Sequence, residues 1–151
     1  MEITWSSDLE LGIPVIDSQH QRIVDYINQV AHANSAKGRA DVLNVLDELV
    51  DYTLSHFAFE ENLMDEAGYP FANPHKKVHR LFARRVANFQ QRAKAGEIVT
   101  EELLHVLKAW LLNHIKHDDK DYATAVRANM NEAAKRVKAQ TKASWFNRLF
   151  G

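Results

Sequence analysis

The sequence predicts an all-α protein: an up-down-up-down four-helix bundle with an N-terminal arm and a C-terminal helical extension. Three observations carry that expectation. Five glycines and three prolines among 151 residues are too few for a many-turned β protein. Four segments repeat apolar residues at three- and four-residue spacing. The stretches between them are short, as antiparallel neighbours require.

Residues 1–16 read as an irregular arm, because Gly12 and Pro14 oppose an early helix. The first helix should begin near Asp17-Ser18, both good N-cap residues, and end near Lys37-Gly38. It carries His20, Ile23, Val24, Ile27 and Val30 on one stripe. The second runs from about Asp41 to Glu66, with Val42, Val45, Leu49, Thr53, His56, Glu60 and Leu63 in phase. Gly68-Tyr69-Pro70 and Asn73-Pro74 mark the next loop. The third helix spans about Pro74 to Lys94, aligning His75, Val78, His79, Phe82, Val86 and Phe89. The fourth follows Thr100 as cap and turns Leu103, Leu107, Leu111 and His114 inward.

Composition removes several function classes. The absence of cysteine excludes disulfides, thiolate metal sites and cysteine nucleophiles. Twenty acids against nineteen Lys and Arg argue against a dedicated nucleic-acid binder. His-Glu-x-x-His, Gly-x-Ser-x-Gly and a phosphate-binding glycine loop are all missing, so nothing points to a hydrolase. No leader-like start or membrane-length apolar run is visible, so a cytoplasmic location is expected.

The chemistry lies in the histidines. Five of the eight fall on the apolar stripes, where each ring nitrogen would need a buried partner. His56 and Glu60 stack at i and i+4, as do His75 and His79. His20 and His114 complete the set from the first and fourth helices. Asp119 follows His114 by five residues, about 140° out of phase on an ideal α-helix. It joins the cluster only if the helix ends or widens as a π-bulge around Ile115–Asp118; otherwise Asp119 is a surface acid. His32, His105 and His117 are expected to be solvated. Glu102-x-x-His105 has the spacing of carboxylate di-iron sites but occurs once, where such a site needs it twice. The donor set alone would also suit zinc or manganese.

The ordered pattern His20 … His56-x-x-x-Glu60 … His75-x-x-x-His79 … His114-x-x-x-x-Asp119 resembles the hemerythrin family, particularly its single-domain bacterial members. Trp5, Gly12–His20, Trp110–Ile115, Lys120 and Tyr122 agree with it, and the resemblance covers about residues 3–124. It implies two iron ions, one held by His75, His79 and His114, the other by His20 and His56. Glu60 and Asp119 would bridge them together with a hydroxide, leaving one open position on the two-histidine iron for dioxygen. It further implies a dry pocket formed by Ile23, Phe57, Trp110, Leu111 and Ile115. The implied activity is reversible dioxygen binding for storage or delivery. The alternatives are an oxygen or redox sensor signalling through the tail, and iron handling or peroxide or nitric oxide chemistry.

Residues 125–151 stand apart from the bundle of residues 1–124. They hold six basic residues and the single acid Glu132, a net +5, so the preceding 124 residues carry −6. Trp145, Phe146, Leu149 and Phe150 form a short apolar stripe among these charges. The expected arrangement is a terminal helix packed on its own bundle or on a neighbouring copy, or simply a frayed end. Docking onto a protein or an anionic membrane is the alternative.

Overall fold

The computed structural model describes residues 2–36 and 39–150. Helix α1 spans Pro14–Ala36, α2 Arg39–Glu66, α3 Ala72–Lys94 and α4 Thr100–His114. A π-helical segment, Ile115–Asp119, joins α4 directly to α5, Lys120–Phe150. Residues 100–150 therefore form one continuous helix, whose first half is the fourth member of the bundle. Helix α1 packs against α2 and α4, and α2 against α3.

Helix α1 begins at Pro14 rather than at Asp17-Ser18. Proline suits a first helical turn, where its missing N–H has no intrahelical partner. Asp17 lies inside that turn, and its carboxylate accepts the N–H groups of Leu11 (2.7 Å) and Gly12 (3.1 Å) in the incoming arm. The arm is less irregular than expected: Ser7–Leu9 form a 3₁₀ turn, and Ile3, Leu9, Leu11 and Ile13 are buried. Gly12 has φ +76°, and a Cβ there would meet Arg127 Nη1 at 2.8 Å. That guanidinium donates to the Leu11 carbonyl at 2.8 Å and ties the arm to the last helix. The expected stop at Lys37-Gly38 lies outside the described residues.

Helix α2 ends where Gly68, at φ +65°, reverses the chain. Tyr69 N–H bonds to Met64 C=O and Gly68 N–H to Asp65 C=O, both bonds of a Schellman stop. The deepest line of α2 is Leu46, Leu49, His56, Phe57, Glu60 and Met64. Val42, Val45, Thr53 and Leu63, placed on that stripe by sequence, are half-buried at its edge. Thr100 is the first residue of α4, with Val99 preceding it, so it does not act as the cap.

The final helix departs most from expectation. Tyr122, Ala123 and Val126 are buried against the bundle, but every residue from 131 to 149 is exposed. The tail does not fold back on its own bundle. It continues the fourth helix outward for about 30 Å, at about 1.5 Å per residue.

Candidate metal centre

All four bundle helices contribute to one buried cluster, near the start of α1 and α3 and the end of α2 and α4, and so toward one end of the bundle. Helix α1 supplies His20, α2 His56 and Glu60, α3 His75 and His79, and the last helix His114 and Asp119. All seven are buried, the two carboxylates completely. The π segment solves the phase problem of Asp119. With five residues closing a turn, His114 and Asp119 fall on the same face.

The side chains sort into two groups. The ligand atoms of Glu60, His75, His79, His114 and Asp119 lie within 4.8 Å of one another, as do those of His20, His56 and Glu60. Each carboxylate faces both groups. Glu60 Oε1 lies 3.1 Å from His20 Nε2 and 2.9 Å from His56 Nε2, and its Oε2 lies 3.3 Å from His79 Nε2. Asp119 Oδ2 lies 3.2 Å from His20 Nε2, while its Oδ1 is 3.2 and 3.1 Å from Nε2 of His75 and His114.

These approaches do not satisfy the cluster by hydrogen bonding. Glu60 Oε2, both carboxylate oxygens of Asp119 and His20 Nδ1 are buried without an aligned hydrogen-bond partner. His79 Nε2 sits 3.0 Å from Nε2 of both His75 and His114, so three ring nitrogens converge on one point. Orphaned carboxylate oxygens and converging imidazoles are costly in a dry core, and a cation between them removes that cost. The residues present therefore fit bound metal, with the nitrogen and oxygen donors that suit first-row ions.

Neighbouring groups hold the rings in place. His56 Nδ1 meets Gln19 Oε1 at 2.7 Å, His79 Nδ1 meets Glu61 Oε1 at 3.2 Å, and His114 Nδ1 meets Asp118 Oδ2 at 2.8 Å. A proton on each Nδ1 leaves Nε2 free to ligate. Tyr122 donates its hydroxyl to Glu60 Oε1 at 2.8 Å. Sequence reasoning assigned none of these supporting roles. The available signal was adjacency: Gln19, Glu61 and Asp118 each precede or follow a cluster residue.

In the metal-free protein the cluster is strongly polarised. Burial pushes the His20 imidazole down, but the Asp119 and Glu60 carboxylates outweigh it and raise its pKa from 6.5 to about 9. His114 also rises, Asp119 overcoming burial. Burial pushes Glu60 upward, but His56, His20 and His79 hold it well below 4.5. Asp119 likewise falls, because His114, His20 and His75 outweigh burial and the Glu60 charge. Burial and the two carboxylates push the Tyr122 hydroxyl well above 10.

A cavity of about 10 Å³ adjoins His20, His56 and His114. Ile23, Phe57, Trp110 and Leu111 line it, as do Ile27, Thr53, Phe82 and Leu107, which sequence reasoning had not placed there. Ile115 is fully buried in the π segment but outside this lining. Phe57 stacks on His79 with ring centroids 3.9 Å apart, and Trp110 stacks on His114 at 4.3 Å. A second cavity of about 20 Å³ shares Thr53, Phe57, Phe82 and Leu107 and extends to the exposed Leu54. His32, His105 and His117 are exposed, as expected.

The chain matches the sequence model of the hemerythrin HHE cation binding domain over residues 11–126. It is 50% identical over 146 residues to the bacteriohemerythrin of Pseudomonas aeruginosa, covering 97% of this chain and 94% of that one. The bacteriohemerythrin of Stenotrophomonas maltophilia is 50% identical over 133 residues, 88% of this chain and 87% of the relative. A crystal structure of wild-type hemerythrin superposes with a TM-score of 0.78 at 30% identity, over 82% of this chain and 97% of that one.

Proposed function

The chain belongs to the hemerythrin family, and from that premise we propose that it reversibly binds dioxygen at a pair of iron ions, as a carrier rather than an enzyme. His75, His79 and His114 would hold one ion and His20 and His56 the other, with Glu60 and Asp119 shared between them. When bound, the iron pair supplies the electrons that reversible dioxygen binding requires.

The observation that carries this reading is the asymmetry of the cluster beside a small apolar cavity. One side offers three imidazoles and the other two, so an ion on the two-histidine side keeps a position free. The cavity reaches both His20 and His56 there and only His114 of the other three imidazoles, and apart from these rings and Thr53 its lining residues are apolar. Its volume is at the lower limit for one water molecule, about 10–15 Å³. Ile23, Ile27, Phe57 and Leu111 keep bulk water and its protons from the cluster, as a carrier needs for ligand release without side reactions. The second cavity, which shares Thr53 and Phe82 and is lined by Leu54, would offer a small uncharged gas a mostly apolar approach.

Gln19, Glu61 and Asp118 fix three rings, while Tyr122 donates a hydrogen bond to Glu60 Oε1. No helix among the described residues is long and apolar enough to cross a membrane. We place the protein in the cytoplasm, storing dioxygen or delivering it to an oxygen-consuming enzyme.

Anaerobic-to-aerobic optical titration of the reduced, iron-loaded protein tests this. An absorption band that appears with dioxygen and disappears on its removal supports the carrier. Immediate irreversible oxidation with released peroxide overturns it.

A further inference from the structure

The outer end of the last helix lies beyond residue 126, where the match to the family domain stops, and takes no part in the metal cluster. Its residues 131–149 are all exposed. Lys135, Lys138, Lys142, Trp145 and Leu149 follow at spacings of three or four, so they lie along one face of the helix. Phe146 borders the same face at its tip. Read outward, that face carries three ammonium groups and then a broad apolar end, with Trp145 59% and Leu149 57% exposed. The only acid beyond Asp121, Glu132, sits inward of the stripe and pairs with Lys135 at 3.4 Å.

We propose that this helix end docks on an anionic lipid bilayer. Trp145 and Leu149 would enter the headgroup boundary, with Lys138 and Lys142 held among the lipid phosphates. Cations on long stems behind an apolar tip match an anionic interface, where the apolar groups leave water while the ammonium groups reach outward. The rest of the molecule carries the opposite charge, −6 over its first 124 residues, and is repelled from the same surface. Attraction is thus confined to the tip, and the rigid helix holds the bundle away from the lipid.

A second copy of the chain fits less well. Its acidic bundle would attract the lysines, but the large apolar side chains exposed there are scattered: Val15, Leu54, Phe71, Leu81 and Ile98. None of these scattered residues offers a patch to cover Trp145 and Leu149 together. The copy's own apolar tip, Trp145, Phe146 and Leu149, lies among like basic charges that would repel the lysines. An anionic bilayer meets both requirements at once.

Co-sedimentation of the full chain with phosphatidylglycerol/phosphatidylcholine vesicles, against pure phosphatidylcholine, tests the proposal. Binding is expected only to the anionic vesicles and should weaken as salt rises. The double variant Lys138→Glu/Lys142→Glu should lose about 30-fold or more in partition. Trp145→Ser should lose binding as well, while retaining the helical circular dichroism of the parent. Of the three tryptophans, Trp5 and Trp110 are partly buried, so bromolipid quenching of the emission should vanish in Trp145→Phe. Equal binding to neutral and anionic vesicles overturns the proposal, as does binding indifferent to these substitutions. A lipid-free dimer abolished by the same variants, with no vesicle binding, would assign the surface to a second copy instead.

Discussion

One helix passes through two physical environments. Between Thr100 and Val126 it is held by burial, with His114 and Asp119 turned into a dry core and Tyr122 wholly enclosed. From residue 131 outward it touches little but solvent, and its basic side chains face water. Apart from the π segment Ile115–Asp119 the backbone is α-helical in both halves, so regular helix by itself reveals nothing about what a segment is for. What differs is the price of the polar groups: inside, each buried nitrogen and oxygen demands a partner, and outside, water provides one. A perturbation of the cluster should therefore register throughout the bundle, whereas one in the outer helix should remain local.

The largest expected effect is metal removal. Ions bind the assembled cluster and not the unfolded chain, so each ion stabilises the fold by about 4 kcal/mol when free metal exceeds its dissociation constant a thousandfold. For a chain of this size that corresponds to a fall in Tm of about 8–16 °C for each ion removed by chelation. Scanning calorimetry of loaded and chelated protein measures it. An unchanged Tm would mean that the orphaned carboxylate oxygens do not hold metal. The outer helix offers no comparable coupling.

Next in size is Leu111→Asn, which puts an amide into the wall of the small cavity. Leaving that amide unsatisfied costs about 2 kcal/mol of stability. By admitting water beside His20 and His56, it should also shorten the lifetime of the oxygenated protein about tenfold, equivalent to about 1.4 kcal/mol of barrier. Stopped-flow decay checks the lifetime. If decay keeps its parental rate, this cavity does not protect the ligand.

The pH response should separate metal-free from loaded protein. His20 is raised to about 9 when folded, so its contribution to stability is complete below 6.5 and is lost as pH rises through about 9. Glu60 and Asp119 are lowered, so theirs is present above the ordinary carboxylate range and is lost as pH falls below it. Metal-free protein should thus be most stable between about pH 5 and 6.5 and decline on both sides. Metal must displace the proton on His20, so loading at pH 7 should release protons into weak buffer and flatten the alkaline decline. Melting curves at stepped pH, with and without metal, check both statements.

The cluster was legible in the sequence because burial leaves a periodic mark. Histidines on apolar stripes contradict the stripe unless something binds them, whereas the five-residue gap to Asp119 left a π turn, a helix end and a surface acid all open. The start of α1 was misread because Asp17 looks the same whether it caps its own helix or receives Leu11 and Gly12 from the preceding arm. Gln19, Glu61 and Asp118 were missed because a half-buried polar residue beside a ligand has no pattern of its own. The outer helix was expected to pack because helices with apolar residues usually do. Whether such a helix folds back or runs straight depends on its junction at Tyr122–Val126, where no breaker interrupts the chain.

The smallest global effect should come from Ala139→Pro. Inside the bundle a proline at mid-helix would cost about 3 kcal/mol and disturb the packing around it. At residue 139 there is no packing to disturb, because the neighbouring residues are exposed. The eleven residues beyond the break, 140–150, form a helix too short to persist alone in water, which needs about 12–15 residues. They should lose helix while the bundle retains its Tm to within about 2 °C, since exposed sites away from the core change stability by at most about 0.5 kcal/mol. Hydrogen exchange resolved by residue would show protection vanishing beyond about residue 135 and unchanged around His114 and Asp119. A larger fall in Tm would mean that the outer helix supports the bundle through contacts the two-environment description does not contain.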